Sequence, residues 1–324
     1  MIKTRLTQLF DLTHPILSAP MALASGGALA AAVSKAGGLG FIGGAYGDTD
    51  WTIQAFEDAG GARVGCGFIT WKLAENPDLL TRVLERAPAA LFLSFGDPAR
   101  FAVEIAAAGV PLICQVQTLR DAQHAANVGA DVIIAQGAEA GGHGEKRATM
   151  TLVPEVADWL ATHAPDVLLL AAGGIADGRG LAASLMLGAD GVLVGSRLWA
   201  SAESLAHPEM VKAAIAATGD DTIRSTVMDV ARGLNWPERN TARVLKNAFT
   251  DRWHGDLDGL LGVAEVEAAR WSAAWEAGDV AVANTFVGEV AGLIHGCEPA
   301  AEIIESMVTE AEALLRGAVS RLEE

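Results

Sequence analysis

The stretch Val167-Leu168-Leu169-Leu170-Ala171-Ala172-Gly173-Gly174-Ile175-Ala176-Asp177-Gly178, resumed after a helical segment by Gly191-Val192-Leu193-Val194-Gly195-Ser196, decides the fold. Each apolar run is short and bounded by glycine, as a buried strand is. Asp177 reads as the cap of a helix from Gly178 to Leu187. Two buried strands joined by one helix form the parallel βαβ unit.

Working outward, the unit repeats. Apolar runs at Pro15 to Met21, Leu39 to Gly43, Val64 to Ile69, Ala90 to Phe95, Val110 to Val116 and Val132 to Ala135 precede the two quoted above. Helical segments separate them, among them Ala28 to Lys35, Pro77 to Arg86 and Val153 to His163. Eight strands in this rhythm predict a (β/α)8 barrel, with a doubly wound open sheet as the alternative. Gly38-Leu39-Gly40-Phe41-Ile42-Gly43 matches the dinucleotide pattern G-x-G-x-x-G, with Glu57 and Asp58 downstream. That pattern should follow a strand and open a helix, whereas this copy follows a helix and contains the strand. It is therefore not read as a cofactor turn. The barrel is assigned to 1–217 and completed by a C-terminal helix, 300–317, whose apolar residues (Ile303, Ile304, Met307, Val308, Ala311, Leu314, Leu315) recur at helical spacing. In 218–299 no strand is convincing, and Trp236, Trp253, Trp271 and Trp275 make up half of the eight tryptophans. A small, mostly helical subdomain over the barrel mouth is expected there.

Composition narrows the function. The chain has 324 residues, 51% hydrophobic, and a net charge of −17. With no basic run, nucleic acid and anionic membrane surfaces are poor partners. Cys66, Cys114 and Cys297 show no metal or redox spacing and predict free thiols. Neither a signal peptide nor a membrane-spanning run is read, so a cytoplasmic location is expected.

In a barrel, the strand C-termini and the loops after them form the active face. They deliver Ala19, Pro20 and Met21 from strand one, Gln115 from strand five and Gln136 from strand six. Strand six then opens into a glycine-rich loop carrying Gly141, Gly142 and His143, a side chain suited to proton traffic near neutral pH. Strands seven and eight end in Gly173-Gly174 and Gly195-Ser196, where bare backbone N–H groups can hold a phosphate. Met21, Gln115 and Gln136 form an apolar and amide-lined centre without metal-ligand spacing, although Met21 could equally be core. A flat neutral heterocycle with amide-like edges and a phosphate fits, and flavin mononucleotide (FMN) has that description. His14, His124, His163, His207, His254 and His295 are expected to be structural or solvated, and no Gly-x-Ser-x-Gly elbow supports a hydrolase.

These residues carry a resemblance. Pro15 to Met21, Ala36 to Gly40, Gln136 to Gly144 (ending on Gly-Gly-His-Gly), Ala172 to Gly180 and Leu187 to Val192 resemble the nitronate monooxygenase family along nearly the whole chain. The resemblance implies a barrel binding FMN, His143 as the catalytic residue, and flavin contacts from Ala19, Pro20, Met21, Gln115, Gln136, Gly173, Gly174, Gly195 and Ser196. It implies oxidation of an alkyl nitronate, with O2, to a carbonyl compound and nitrite, and it leaves room for a homodimer. Gln115 stands where some relatives carry a lysine, and Gly67 where some carry a hydroxyl. His143 is expected either to take the α-proton of a neutral nitroalkane or, as imidazolium, to hold the nitronate oxygens. The alternatives are an NAD(P)H-dependent quinone or enoyl-thioester reductase of the same superfamily, and a flavin-binding protein without turnover.

Overall fold

The computed structural model describes residues 1–44 and 46–318. Its strands are β1 (Ile16–Ser18), β2 (Phe41–Gly43), β3 (Gly65–Ile69), β4 (Leu91–Ser94), β5 (Leu112–Val116), β6 (Val132–Gln136), β7 (Gly142–Gly144), β8 (Leu168–Ala172), β9 (Gly191–Val194), β10 (Thr222–Ser225) and β11 (Thr241–Leu245). One sheet has eight strands, in the order β1-β9-β8-β6-β5-β4-β3-β2, paired in parallel. Its two ends meet at a parallel bridge between Leu17 and Leu39, where Ser18 N donates to Leu39 O at 3.1 Å and Leu39 N to Ile16 O at 3.0 Å. The sheet thus closes on itself as a (β/α)8 barrel, and the open-sheet alternative falls.

Strand parity sorts the barrel into two layers. Leu17, Phe41, Phe92, Ile113, Val132, Ile134, Leu168, Leu170 and Leu193 form a buried cluster inside the barrel. Their neighbours Ile16, Ile42, Leu91, Leu93, Cys114, Ile133, Leu169 and Val192 pack outward with helix residues such as Leu29, Val33, Phe101 and Leu160. Leu6 and Phe10, from the helix Arg5–Phe10, join the inner cluster and plug the N-terminal end. The same alternation carries Gln115, Gln136 and Ser94 inward at the other end, one step beyond Ile113, Ile134 and Phe92.

The glycines of the Gly38 to Gly43 pattern serve packing. The pattern follows the helix Gly27–Lys35 and contains β2. A Cβ on Gly40 would lie 1.8 Å from Ala30 O, and one on Gly38 2.6 Å from Ile16 O. The backbones of strand and helix touch, so no side chain fits between them.

Three sequence expectations need correction. The segment 220–296 is not strandless: β10 and β11 pair antiparallel, and β11 pairs antiparallel with β7. His143 accordingly lies on a strand, opposite Ala242, and not in a free loop. Gly-His-Gly has no β propensity of its own, and the partner strand supplies the pairing. The helix expected from Val153 begins earlier and runs Thr149–His163. The Glu139 carboxylate accepts from Thr149 N at 3.0 and 3.1 Å, satisfying that helix end from ten residues upstream. Asp177 does cap its helix, accepting from Arg179 N at 3.0 Å and Gly180 N at 3.2 Å. The helix Ala300–Gly317 packs against the helices Gly178–Met186 and Gly27–Lys35. Gly178 N donates to Glu310 Oε2 at 2.8 Å across that contact.

If close packing is what Gly40 provides, Gly40→Ala must move the strand and helix apart. Overpacking of this kind costs about 1–3 kcal/mol or more. Urea denaturation should show a loss in that range with an unchanged slope, and a change below about 0.5 kcal/mol would contradict the packing role.

Candidate active site

One cavity of about 230 Å³ opens at the C-terminal end of the barrel. Ala19, Pro20, Met21, Gln115, Gln136, Gly141, Gly142, His143, Gly173, Gly174, Gly195 and Ser196 all line it. Sequence positions spread over nearly 180 residues therefore share one wall, because parallel strands end on one face. Among the described residues no group of three or more His, Cys, Asp or Glu side chains is placed to hold a metal ion.

One side of the cavity is bare backbone. Gly173 and Gly174 have φ of +94° and +75°, which L side chains rarely adopt. A Cβ on Gly173 would lie 2.8 Å from Gly137 O. Gly195 precedes the short helix Ser196–Trp199, and only Ala19 Cβ, at 3.6 Å, approaches the place of its missing side chain. These glycines carry no side chains of their own over the main chain, as a phosphate cradle requires. Glu139 also lines the cavity, but its carboxylate accepts from Thr149 N and from Thr149 Oγ1 at 3.0 Å. Ser196 Oγ accepts from Gly288 N at 2.9 Å and still has its proton to donate.

The barrel axis supplies an amide cluster. Gln136 Oε1 accepts from Gln115 Nε2 at 3.1 Å and from Gln117 Nε2 at 2.8 Å. The Gln136 amide therefore presents N–H donors, and Gln115 keeps its carbonyl oxygen as an acceptor. A uracil-like edge has the complementary pattern. Aromatic and aliphatic walls, a neutral amide floor and a bare-backbone end thus fit a flavin nucleotide.

His143 lies on the cavity wall, held by a carboxylate. Its Nε2 lies 2.9 Å from Asp229 Oδ2 and 3.1 Å from Oδ1. A carboxylate accepts, so Nε2–H donates, and the lone pair resides on Nδ1. The ring stacks on Trp236 with centroids 3.4 Å apart and planes 7° from parallel, and Phe95 meets it edge-on at 6.3 Å. Burial pushes the imidazole pKa below its ordinary 6.5, against the opposing pull of Asp229, and Arg232 and Arg224 lower it further. Burial thus favours the neutral imidazole, the form a proton acceptor needs.

The loop between β6 and β7 is braced by two arginines. Arg224 of β10 and Arg243 of β11 both donate to Ala138 O, at 3.1 and 3.0 Å. Arg243 also pairs with Glu289 at 2.8 Å. Burial and the neighbouring Arg243 bring the Arg224 pKa down to about 10, still charged at neutral pH. Asp229, Arg232, Tyr46, Phe95, Trp236, Trp275 and Phe286 are parts of the site, or of its immediate support, that the sequence reading missed. The tryptophan enrichment of 218–299 was the only signal pointing to any of them.

The remaining histidines are occupied elsewhere or lie outside the cavity. His124 pairs with Asp97 at 2.7 Å, His163 stacks on Trp159, His207 accepts from Glu209 N at 3.2 Å, and His254 meets Ser225 Oγ at 3.0 Å. His14 Nδ1 is buried without a partner, and His295 is exposed. Cys66 and Cys114 are buried and Cys297 is exposed, all as free thiols. Burial raises the Cys114 thiol to about 12. No helix among the described residues is long and apolar enough to cross a membrane.

Comparison with known proteins agrees with this geometry. The chain is 33% identical to a nitronate monooxygenase of Neurospora crassa, over 97% of this chain and 93% of that one. The FabK structure from Thermotoga maritima superposes with a TM-score of 0.86 at 31% identity, covering 99% of this chain and 100% of that one. A nitroalkane oxidase from Streptomyces ansochromogenes superposes at 0.81 with 25% identity, covering 96% and 99%. The sequence pattern of the nitronate monooxygenase family matches residues 3–61 and 72–310, and the chain belongs to that family of flavin-dependent oxidoreductases.

Proposed function

We propose that the protein binds FMN and oxidises small alkyl nitronates, with O2, to a carbonyl compound and nitrite. The observation that carries this reading is the buried His143 held by Asp229 on the wall of a cavity whose far end is bare glycine backbone. Gly173, Gly174, Gly195 and Ser196 would hold the phosphate, Gln115 and Gln136 the ring edge, and Ala19, Pro20 and Met21 a wall beside it. Bound flavin supplies the electron transfer between substrate and oxygen.

The chain's own groups handle the proton and the position. A neutral nitroalkane loses its α-proton to His143 Nδ1, and the C–H electron pair moves into the nitronate. The imidazolium so formed is stabilised by Asp229 through Nε2–H, as a buried carboxylate does for a catalytic histidine. The stack on Trp236 fixes the ring plane. A preformed nitronate needs no such step. In that case His143 serves only to orient and to exclude water.

The function is tested by denaturing the purified holoprotein to identify its chromophore, then by anaerobic stopped-flow absorbance with each reductant in turn. FMN should be released, ethyl nitronate should bleach the flavin band rapidly, and NADH and NADPH should do so slowly or not at all. FAD, or rapid bleaching by a nicotinamide with none by nitronate, would overturn the reading.

The base role has its own pH signature. For a neutral nitroalkane, kcat/KM should be flat above pH 7 and fall only as pH drops below the ordinary 6.5, since His143 must lose its proton to act. Asp229→Asn removes the group that favours the charged ring, so the acid limb should move to lower pH. The plateau should fall by about 10²-fold or more, within the usual range of general-base assistance. A limb that stays in place with little loss of rate would remove Asp229 from the mechanism.

A further inference from the structure

With His143 neutral, the positive charge that would draw an anionic substrate has to come from another group. Among the described residues lining the cavity, only Glu139 and Arg232 carry a fixed charge, and Glu139 is turned onto Thr149. Arg232 follows the short helix Val227–Ala231, three residues after Asp229. Its side chain is only 14% exposed, and NH1 lies 4.0 Å from Asp229 Oδ1, an ion pair too long for a hydrogen bond.

The way Arg232 is held separates it from the other arginines nearby. Arg224 and Arg243 spend their donors on Ala138 O, Thr241 and Thr222, and Arg197 on Glu298 and Gly296 O. Arg232 spends one donor on the Tyr46 hydroxyl and is otherwise surrounded by ring faces: its Cζ lies 4.7 Å from the Tyr46 centroid, 5.5 Å from Phe286 and 5.8 Å from Trp271. Ring faces favour a cation without using up its N–H groups in strong hydrogen bonds. A guanidinium stays charged at any working pH and presents a planar fork of donors. A nitronate is a planar anion with its charge on two oxygens, which that fork matches; a neutral nitroalkane has the same shape without the charge.

We propose that Arg232 is the specificity-determining residue of the cavity, binding the paired oxygens of an anionic nitronate and favouring it over the neutral nitroalkane. This rests on the nitronate reading above. Charge also balances on the alternative route: when His143 takes the α-proton, the new imidazolium faces Asp229 and the new nitronate faces Arg232.

Nitrate, a planar oxyanion that cannot turn over, is the probe. Its binding to the holoprotein is measured by calorimetry for wild type, Arg232→Gln and Arg232→Lys, alongside kcat/KM for ethyl nitronate and for nitroethane. Arg232→Gln should weaken nitrate binding ten- to hundredfold and lower the nitronate-to-nitroalkane ratio of kcat/KM by a similar factor. Arg232→Lys, which keeps the charge but loses the fork, should fall between, and it carries the test alone if the glutamine variant does not fold. Nitrate affinity within twofold of wild type in the variants, or no nitrate binding to wild type, would overturn the proposal. Arg232-dependent nitrate binding in a protein that does not oxidise nitronates would leave the anion site standing and remove the nitronate function.

Discussion

A buried imidazole has to be told which of its nitrogens to protonate, and here one hydrogen bond does so. His143 Nε2 sits 2.9 Å from Asp229 Oδ2, both side chains almost wholly out of water. That contact spans 86 residues of sequence and joins β7 to the helix Val227–Ala231. It forms because β7 borrows a partner from β11, which places His143 opposite Ala242, while the short helix after β10 carries Asp229. Without the three-stranded sheet, Gly-His-Gly would be a loop and its histidine would face water, close to its ordinary pKa.

Two kinds of constraint thus build the site from opposite directions. Below, the closed parallel sheet sends inward residues of every strand to one rim, and this brings Gln115 and Gln136 together without any local motif. Above, residues from 222–245 and 286–289 fasten the rim: the Arg224 and Arg243 side chains donate to Ala138 O, Glu289 N to Glu139 O at 2.9 Å, and Gly288 N to Ser196 Oγ. The space between them is dry enough for burial to outweigh the pull of Asp229 on His143. The same burial strengthens the pull of the Arg232 guanidinium on an anion.

The lower half of this arrangement was legible in the chain and the upper half was not. Strand parity is a local, period-two property, so the apolar runs and the polar residue ending each one could be read directly. The glycines at 173–174 were legible for a similar reason: their positive φ values leave few other residues. Asp229 and Arg232, by contrast, sit in Val227-Met228-Asp229-Val230-Ala231-Arg232, where nothing local separates a catalytic partner from an ordinary surface ion pair. Trp236 was counted among the tryptophans of the segment, but its stack on His143 depends on a chain return that no spacing encodes. The strands β10 and β11 were missed because their pairing is non-local, and β propensity depends on context.

The claim on which the account stands is that His143 is a neutral imidazole at pH 7, protonated on Nε2 and free on Nδ1. Nitrogen-15 NMR of the histidine-labelled holoprotein, with His143→Gln to assign its signals, reads this directly. One pyrrole-type nitrogen at Nε2 and one pyridine-type nitrogen at Nδ1 are expected, unchanged from pH 7 upward. Two protonated ring nitrogens at pH 7, or the proton on Nδ1, would contradict it.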